Sequence, residues 1–168
     1  MSKNEYHIEF NHKQAAHCEN GATSNLLRHY NIKLSEPMVF GIGSGLFFSY
    51  MPFMKVNDLP MVSFRPWPGK IFDRITKRLG LKIQRNKFQD EAESMEALDR
   101  NLQQGIPTGC LVGVYHLTYF PVAYRFHFNA HNIVVIGREN GEYLISDPIM
   151  ESFSPIRNKE YSNDETME

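Results

Sequence analysis

The sequence predicts an α+β fold with helices leading and an antiparallel sheet following. Three observations carry this. Apolar residues recur at helical spacing in the first two-thirds of the chain. From Cys110 onward the apolar runs turn short and β-branched. Asn140-Gly141 between two such runs is a strong hairpin signal.

In chain order, residues 1–17 are polar and irregular, with Ile8 and Phe10 suggesting a short strand. Ala22, Leu26, Leu27 and Tyr30 place a helix over about 18–30, with Asn31 as its stop. Ser35 reads as the cap of a second helix and Pro37 as part of its first turn. Residues 38–48 then run from helix into a glycine-rich turn. Ile71, Phe72, Ile75 and Leu79 predict an amphipathic helix over Gly69–Leu79 that Gly80 ends. Leu81 to Lys87 alternates like a strand. Met95, Leu98 and Leu102 predict a helix over Ser94–Gln104, with Gly105 just past its end. Strands are expected at Cys110–Leu117, Asn132–Ile136 and Glu142–Asp147. The domain is expected to span 1–155, with 156–168 a polar tail or a linker to a further domain.

A composition of 42% hydrophobic and 22% charged residues is that of an ordinary globular chain able to bury a core. A net charge of −1 argues against nucleic acid as a partner, and the lysines and arginines between Lys77 and Lys87 read as a solvated face. The longest apolar stretch, Met38 to Phe53, is broken by three glycines and a proline and is too short to span a bilayer, which needs ~20 residues. With no apolar signal segment and two cysteines only, the expected compartment is the cytoplasm and the cysteines are expected to stay reduced.

The chemistry centres on Cys18, flanked by His17, Glu19, Asn20 and Gly21 at a helix start. Polar flanks are unusual for a core cysteine, and unpaired N–H groups at a helix N-terminus favour the thiolate. His131 opens one predicted strand and Asp147 closes the next. A thiol nucleophile needs an imidazole to move its proton and an acceptor to orient that imidazole, so these three read as nucleophile, base and orienting group. Cys110 enters an apolar strand and reads as core. His127, His131 and Cys18 are zinc-binding residue types, but the His127–His131 spacing of a helical metal pair falls in strand-like sequence, so no metal is expected. Gly41-Ile42-Gly43-Ser44-Gly45 lacks the lysine of a phosphate-binding loop and reads as a close-packed turn or a cleft wall. Phe47, Phe48, Tyr50, Phe53, Phe64 and Trp67 are candidates to line that cleft, with core packing expected to absorb most of them.

The stretches His17-Cys18-Glu19, Asn25-Leu26-Leu27-Arg28-His29, Leu34-Ser35-Glu36-Pro37-Met38 and Phe40 to Gly45, with the later His131 and Asp147-Pro148, resemble the N-terminal domain family of butirosin-biosynthesis protein H. The resemblance covers roughly residues 10–150. It implies a papain-like cysteine-protease fold, related to transporter leader peptidases, and a cysteine-dependent acyltransferase. Such an enzyme joins an acyl group from a carrier-protein thioester to a small-molecule amine in natural-product biosynthesis, without a cofactor. Cys18 would accept the acyl group, with His131 as base and acid and Asp147 orienting it. Papain-like enzymes place an oxyanion-hole glutamine six residues before the cysteine. Here that position is His12 and Gln14 lies four before, so His12, Gln14 and the backbone at Glu19 are the candidates. A thiol hydrolase or peptidase of the same fold, and a non-catalytic binding module, are the alternatives; self-association is left open.

Overall fold

The structure is a computed structural model that describes residues 5–127, 130–150 and 154–155. The mixed helix and antiparallel-sheet architecture expected from the sequence is present. Strand β1 (Tyr6–His7) precedes helices α1 (Cys18–His29) and α2 (Glu36–Ile42). A hairpin of β2 (Ser49–Val56) and β3 (Leu59–Ser63) follows, then α3 (Lys70–Arg78) and α4 (Glu91–Gln103). Strands β4 (Thr108–Val112), β5 (His131–Glu139), β6 (Glu142–Ser146) and β7 (Ser154–Pro155) come last. Single 3₁₀ turns at Val114–His116 and Val122–Tyr124 lie in the excursion between β4 and β5.

Strand β5 is the spine of the main sheet. One edge pairs with β4 through Thr108↔Val135 to Val112↔His131 and then with β1 through His7↔Gly137. The other edge pairs with β6, and β6 with β7, all antiparallel. The Asn140-Gly141 turn joins β5 to β6 with both residues left-handed, φ 52° and 86°, as the predicted hairpin requires.

Alternation along β5 sends successive side chains to opposite faces. Val134 and Ile136 pack on one face with Phe10, Leu144 and residues Ala22 and Leu26 of α1. Val135 packs on the other with Ile8, Cys110 and Leu102 and Leu98 of α4. A separate helical cluster joins Leu27, Val39, Ile71 and Ile75, so α1 is gripped by the sheet on one side and by α2 and α3 on the other. Gly43 and Gly45 are buried where an added Cβ would strike Ile71 and the Phe40 ring, so the glycine-rich segment is a close-packed turn.

Several expectations are corrected. Leu81–Lys87 forms no strand: Leu81 anchors on the helical cluster, while Arg85 reaches Asp73 at 3.0 Å and stacks on Phe72, and no neighbouring strand takes up the backbone. Helix α4 starts three residues before Ser94, because Asp90 caps it by accepting the Glu93 N–H at 2.8 Å. Strand β4 stops at Val112, where Leu117 and Tyr119 turn inward to pack with Met150. Ser35 occupies the cap position of α2 but makes no side-chain cap bond. The six aromatics between Phe47 and Trp67 are all exposed, not core, because they sit on or beside the projecting β2–β3 hairpin. Residues 156–168 lie outside the described residues. No helix among the described residues is long and apolar enough to cross a membrane.

Candidate active site

Cys18 is the first residue of α1, half-buried at its N-terminus. The N-cap residue, His17, supplies no side-chain cap, so the first-turn N–H groups are not closed off by a neighbouring oxygen. The approach to the helix is fixed from outside. Glu36 of α2 accepts the backbone N–H groups of Ala16 (3.0 Å) and His17 (2.8 Å). One helical turn on, Gly21 lies where a Cβ would come within 2.4 Å of Ala15 Cβ and 2.5 Å of Pro148 Cβ. Only glycine lets α1 approach the Asp147-Pro148 turn this closely.

His131 is the first residue of β5 and Asp147 follows the last residue of β6, as the hairpin register brings the two strand ends together. His131 Nε2 meets Asp147 Oδ2 at 2.6 Å, with the carboxylate fully buried. The same oxygen accepts the Tyr119 hydroxyl at 2.6 Å, and Oδ1 accepts the Ile149 N–H at 3.1 Å. Asp147 is therefore both the turn residue that Asp-Pro suggests and the acceptor for the imidazole, one oxygen for each. The Phe120 ring stands edge-on to the imidazole, 5.6 Å between centroids, and closes its flank.

Burial pulls the His131 pKa down, but the hydrogen bonds to Asp147 and Cys18 and their charges outweigh it and hold the imidazole at about 9. For Cys18 burial acts the other way and raises the thiol. Hydrogen bonds from His131 and from the backbone and side chain of Asn132, with the imidazolium charge, bring it below its ordinary value. The two shifts run in opposite directions, and each residue is among the causes of the other's. Burial alone acts on Cys110 and pushes it up to about 11, in keeping with a packed residue of the sheet.

The remaining candidates fall elsewhere. The ring nitrogens of His12 meet Ser146 Oγ at 2.7 Å and Met150 O at 2.8 Å, and Gln14 Nε2 donates to Ile149 O at 3.3 Å. Both brace the turn that carries Asp147. The Glu19 carboxylate is buried and accepts the Phe72 N–H at 3.0 Å, tying α1 to α3, so only its backbone N–H is free to face an anion at the helix start. His127 stacks on Tyr115, ring centroids 4.2 Å apart, and among the described residues no cluster of three His, Cys, Asp or Glu is placed to hold a metal ion. Phe47 and Trp67, with Met51, Pro66, Lys70 and Arg74, line a shallow cavity of about 180 Å³ beside the hairpin. Two residues the sequence reading missed enter the site, Tyr119 and Asn132. The signal for Asn132 was its parity with Val134 and Ile136, which puts it on the α1 face of β5.

A half-buried thiol at a helix start and an imidazole held by a buried carboxylate form the candidate site of this α+β protein. Residues 17–148 match the family described as butirosin biosynthesis protein H, N-terminal, and the chain belongs to that family. The family takes its name from an antibiotic-biosynthesis protein. No curated protein and no solved structure matches the chain.

Proposed function

We propose that the protein is a cysteine-dependent acyltransferase of papain-like architecture that forms an amide from an acyl thioester, carried by an acyl carrier protein, and a small-molecule amine. The observation that carries the reading is the Cys18–His131–Asp147 line, with the thiol lowered and the imidazole raised. Membership of a family named for antibiotic biosynthesis supports it.

The chemistry follows from the resting ion pair. The Cys18 thiolate attacks the thioester carbonyl, and the carbonyl oxygen takes up the electron pair. Collapse expels the donor thiolate, which takes the proton from the His131 imidazolium and leaves as a thiol. Acyl-Cys18 and neutral His131 remain. The amine then attacks the acyl carbon and gives its proton to His131. Collapse expels the Cys18 thiolate, releases the amide and restores the ion pair. Asp147 stays ionised throughout and holds the ring in one orientation.

Incubation with an N-acetylcysteamine thioester tests this. Intact-protein mass spectrometry should show an acyl adduct on Cys18 that Cys18→Ser abolishes. Adding an amine should speed its loss and yield the amide. Release of free acid at one rate with or without amine would assign a hydrolase instead. Absence of any adduct would refute the acyltransferase.

A further inference from the structure

We infer that Asn132 is a catalytic residue, the side-chain hydrogen-bond donor to the oxyanion that forms on a carbonyl attacked by Cys18. The inference rests on the proposed acyl-transfer chemistry of Cys18 and adds a residue outside the Cys18–His131–Asp147 line.

Three observations place the group. Asn132 is the second residue of β5, on the same face as Val134 and Ile136, and that face packs against α1. Going back along the strand from the apolar contacts with Ala22 leads to the helix N-terminus, where Cys18 stands. Accordingly, Asn132 Nδ2 lies 4.0 Å from Cys18 Sγ, a long contact for a bond to sulfur itself. Its orientation is fixed, because the same nitrogen donates to the Ala130 carbonyl at 3.4 Å, and only the NH₂ end of the amide can do so.

The distance suits the intermediate better than the resting thiolate. In the tetrahedral adduct the oxyanion lies two bonds out from Sγ. A donor 4.0 Å from the sulfur is therefore within reach of the ~3 Å separation at which oxyanion donors act. Of the earlier candidates, His12 and Gln14 bond around the turn that carries Asp147, and Glu19 offers its backbone N–H alone, its carboxylate being tied to the Phe72 N–H. Asn132 and the backbone N–H groups at the start of α1, whose first residue is Cys18, offer side-chain and main-chain donors of the kinds that stabilise an oxyanion.

Two electrophiles separate this role from simple support of the thiolate. p-Nitrophenyl acetate acylates through an oxyanion. Iodoacetamide reacts by displacement at saturated carbon and forms none. Asn132→Ala should lower the rate of Cys18 acylation by ~10²–10³-fold, while alkylation of Cys18 by iodoacetamide changes severalfold at most. A thermal melt of each variant shows that it is folded, since an unfolded thiol is alkylated too. Asn132→Asp, which keeps the size and replaces the donor with an acceptor, should lose at least as much acylation relative to alkylation. Parallel loss of both reactions, or acylation at the parental rate in Asn132→Ala, would overturn the assignment. If the parent is acylated and the variants behave as stated but no amine is acylated, the transferase reading fails and Asn132 keeps its role. If the parent is not acylated by any carbonyl electrophile, both fall.

Discussion

Asp147→Asn changes one atom at the hub of the site, and the structure specifies what that does. The carboxylate takes three donors, His131 Nε2 and Tyr119 Oη on Oδ2 and the Ile149 N–H on Oδ1. An amide offers one acceptor oxygen. Turned toward Ile149, it presents NH₂ to His131 and forces the ring proton onto the nitrogen nearer Cys18. Turned toward His131, it presses NH₂ against the Ile149 N–H. The first orientation sets NH₂ against two donors, His131 and Tyr119, and the second against one, at a cost of ~1–3 kcal/mol for each bond lost.

The lost charge adds to this. Burial pulls the His131 pKa down, and Asp147 and Cys18 raise it from 6.5 to about 9, a difference worth roughly 3 kcal/mol at ~1.4 kcal/mol per tenfold. Without the carboxylate only Cys18 is left to oppose burial, and the His131 pKa falls. Cys18 then loses the imidazolium and returns toward an ordinary thiol. Iodoacetamide alkylation of Cys18 at pH 7 should fall ~10-fold or more and recover near pH 9, with Cys110, half-buried and its thiol pushed up to about 11, as the slow internal reference. The stability effect has a sign as well. A raised His pKa contributes stability that is complete below 6.5 and lost as pH rises through about 9. The melting-temperature deficit of the variant should therefore be largest in acid and narrow toward pH 9. An unchanged alkylation profile would show that Asp147 does not govern the ion pair.

Two further substitutions probe the same frame. Tyr119→Phe removes the 2.6 Å hydroxyl bond to Asp147 Oδ2 without touching His131. It should cost ~1–3 kcal/mol of stability and raise the His131 pKa further, because a carboxylate with one donor fewer attracts the imidazolium more strongly; an NMR titration of the ring that moves down instead would contradict this. Gly21→Ala should gain ~1 kcal/mol from helix propensity if the space were open. With Ala15 Cβ at 2.4 Å and Pro148 Cβ at 2.5 Å it should instead be destabilising, by ~1–3 kcal/mol of overpacking, and slow Cys18 alkylation as α1 shifts; a higher melting temperature would disprove the contact.

What the sequence disclosed depended on how local the signal was. Helices α1 and α3 and the β5–β6 hairpin announce themselves through spacing and Asn140-Gly141, and the same hairpin made His131 and Asp147 legible as neighbours. The β2–β3 hairpin did not. Its turn is Asn57-Asp58, both left-handed at φ 51° and 63°, which serves as well as Asn-Gly but is a weaker signal. Pro52 and Pro60 further mask the strands; a two-stranded ribbon is all edge and tolerates them. Leu81–Lys87 erred the other way, since alternation alone supplies no partner strand. Tyr119 was not legible because its role depends on the excursion between β4 and β5 folding back over Asp147, which no local pattern encodes.

The geometry of the site is set mostly by contacts that are not part of its chemistry. Ala15 N–H donates to Pro148 O at 2.7 Å, Gly21 seats on the Pro148 ring, Gln14 reaches Ile149 and His12 spans Ser146 and Met150. These bonds lash the segment before Cys18 to the turn that carries Asp147. Cys18 and the Asp147 carboxylate are thus held at fixed separation by backbone and bracing side chains. His131 enters between them from a strand end whose register is set by β4 and β6. In such a frame the placement of Cys18 and Asp147 does not depend on charge attraction, while Cys18 and His131 shift each other's pKa in opposite directions. It follows that His12→Ala, far from the sulfur in bonding terms, should loosen the Asp147 turn and lower Cys18 reactivity together with stability. His131→Ala should return the Cys18 alkylation profile to that of a free thiol while the protein still folds. The contrast between these two variants, in thermal melts and alkylation rates taken side by side, distinguishes a braced site from one held together by its own charges.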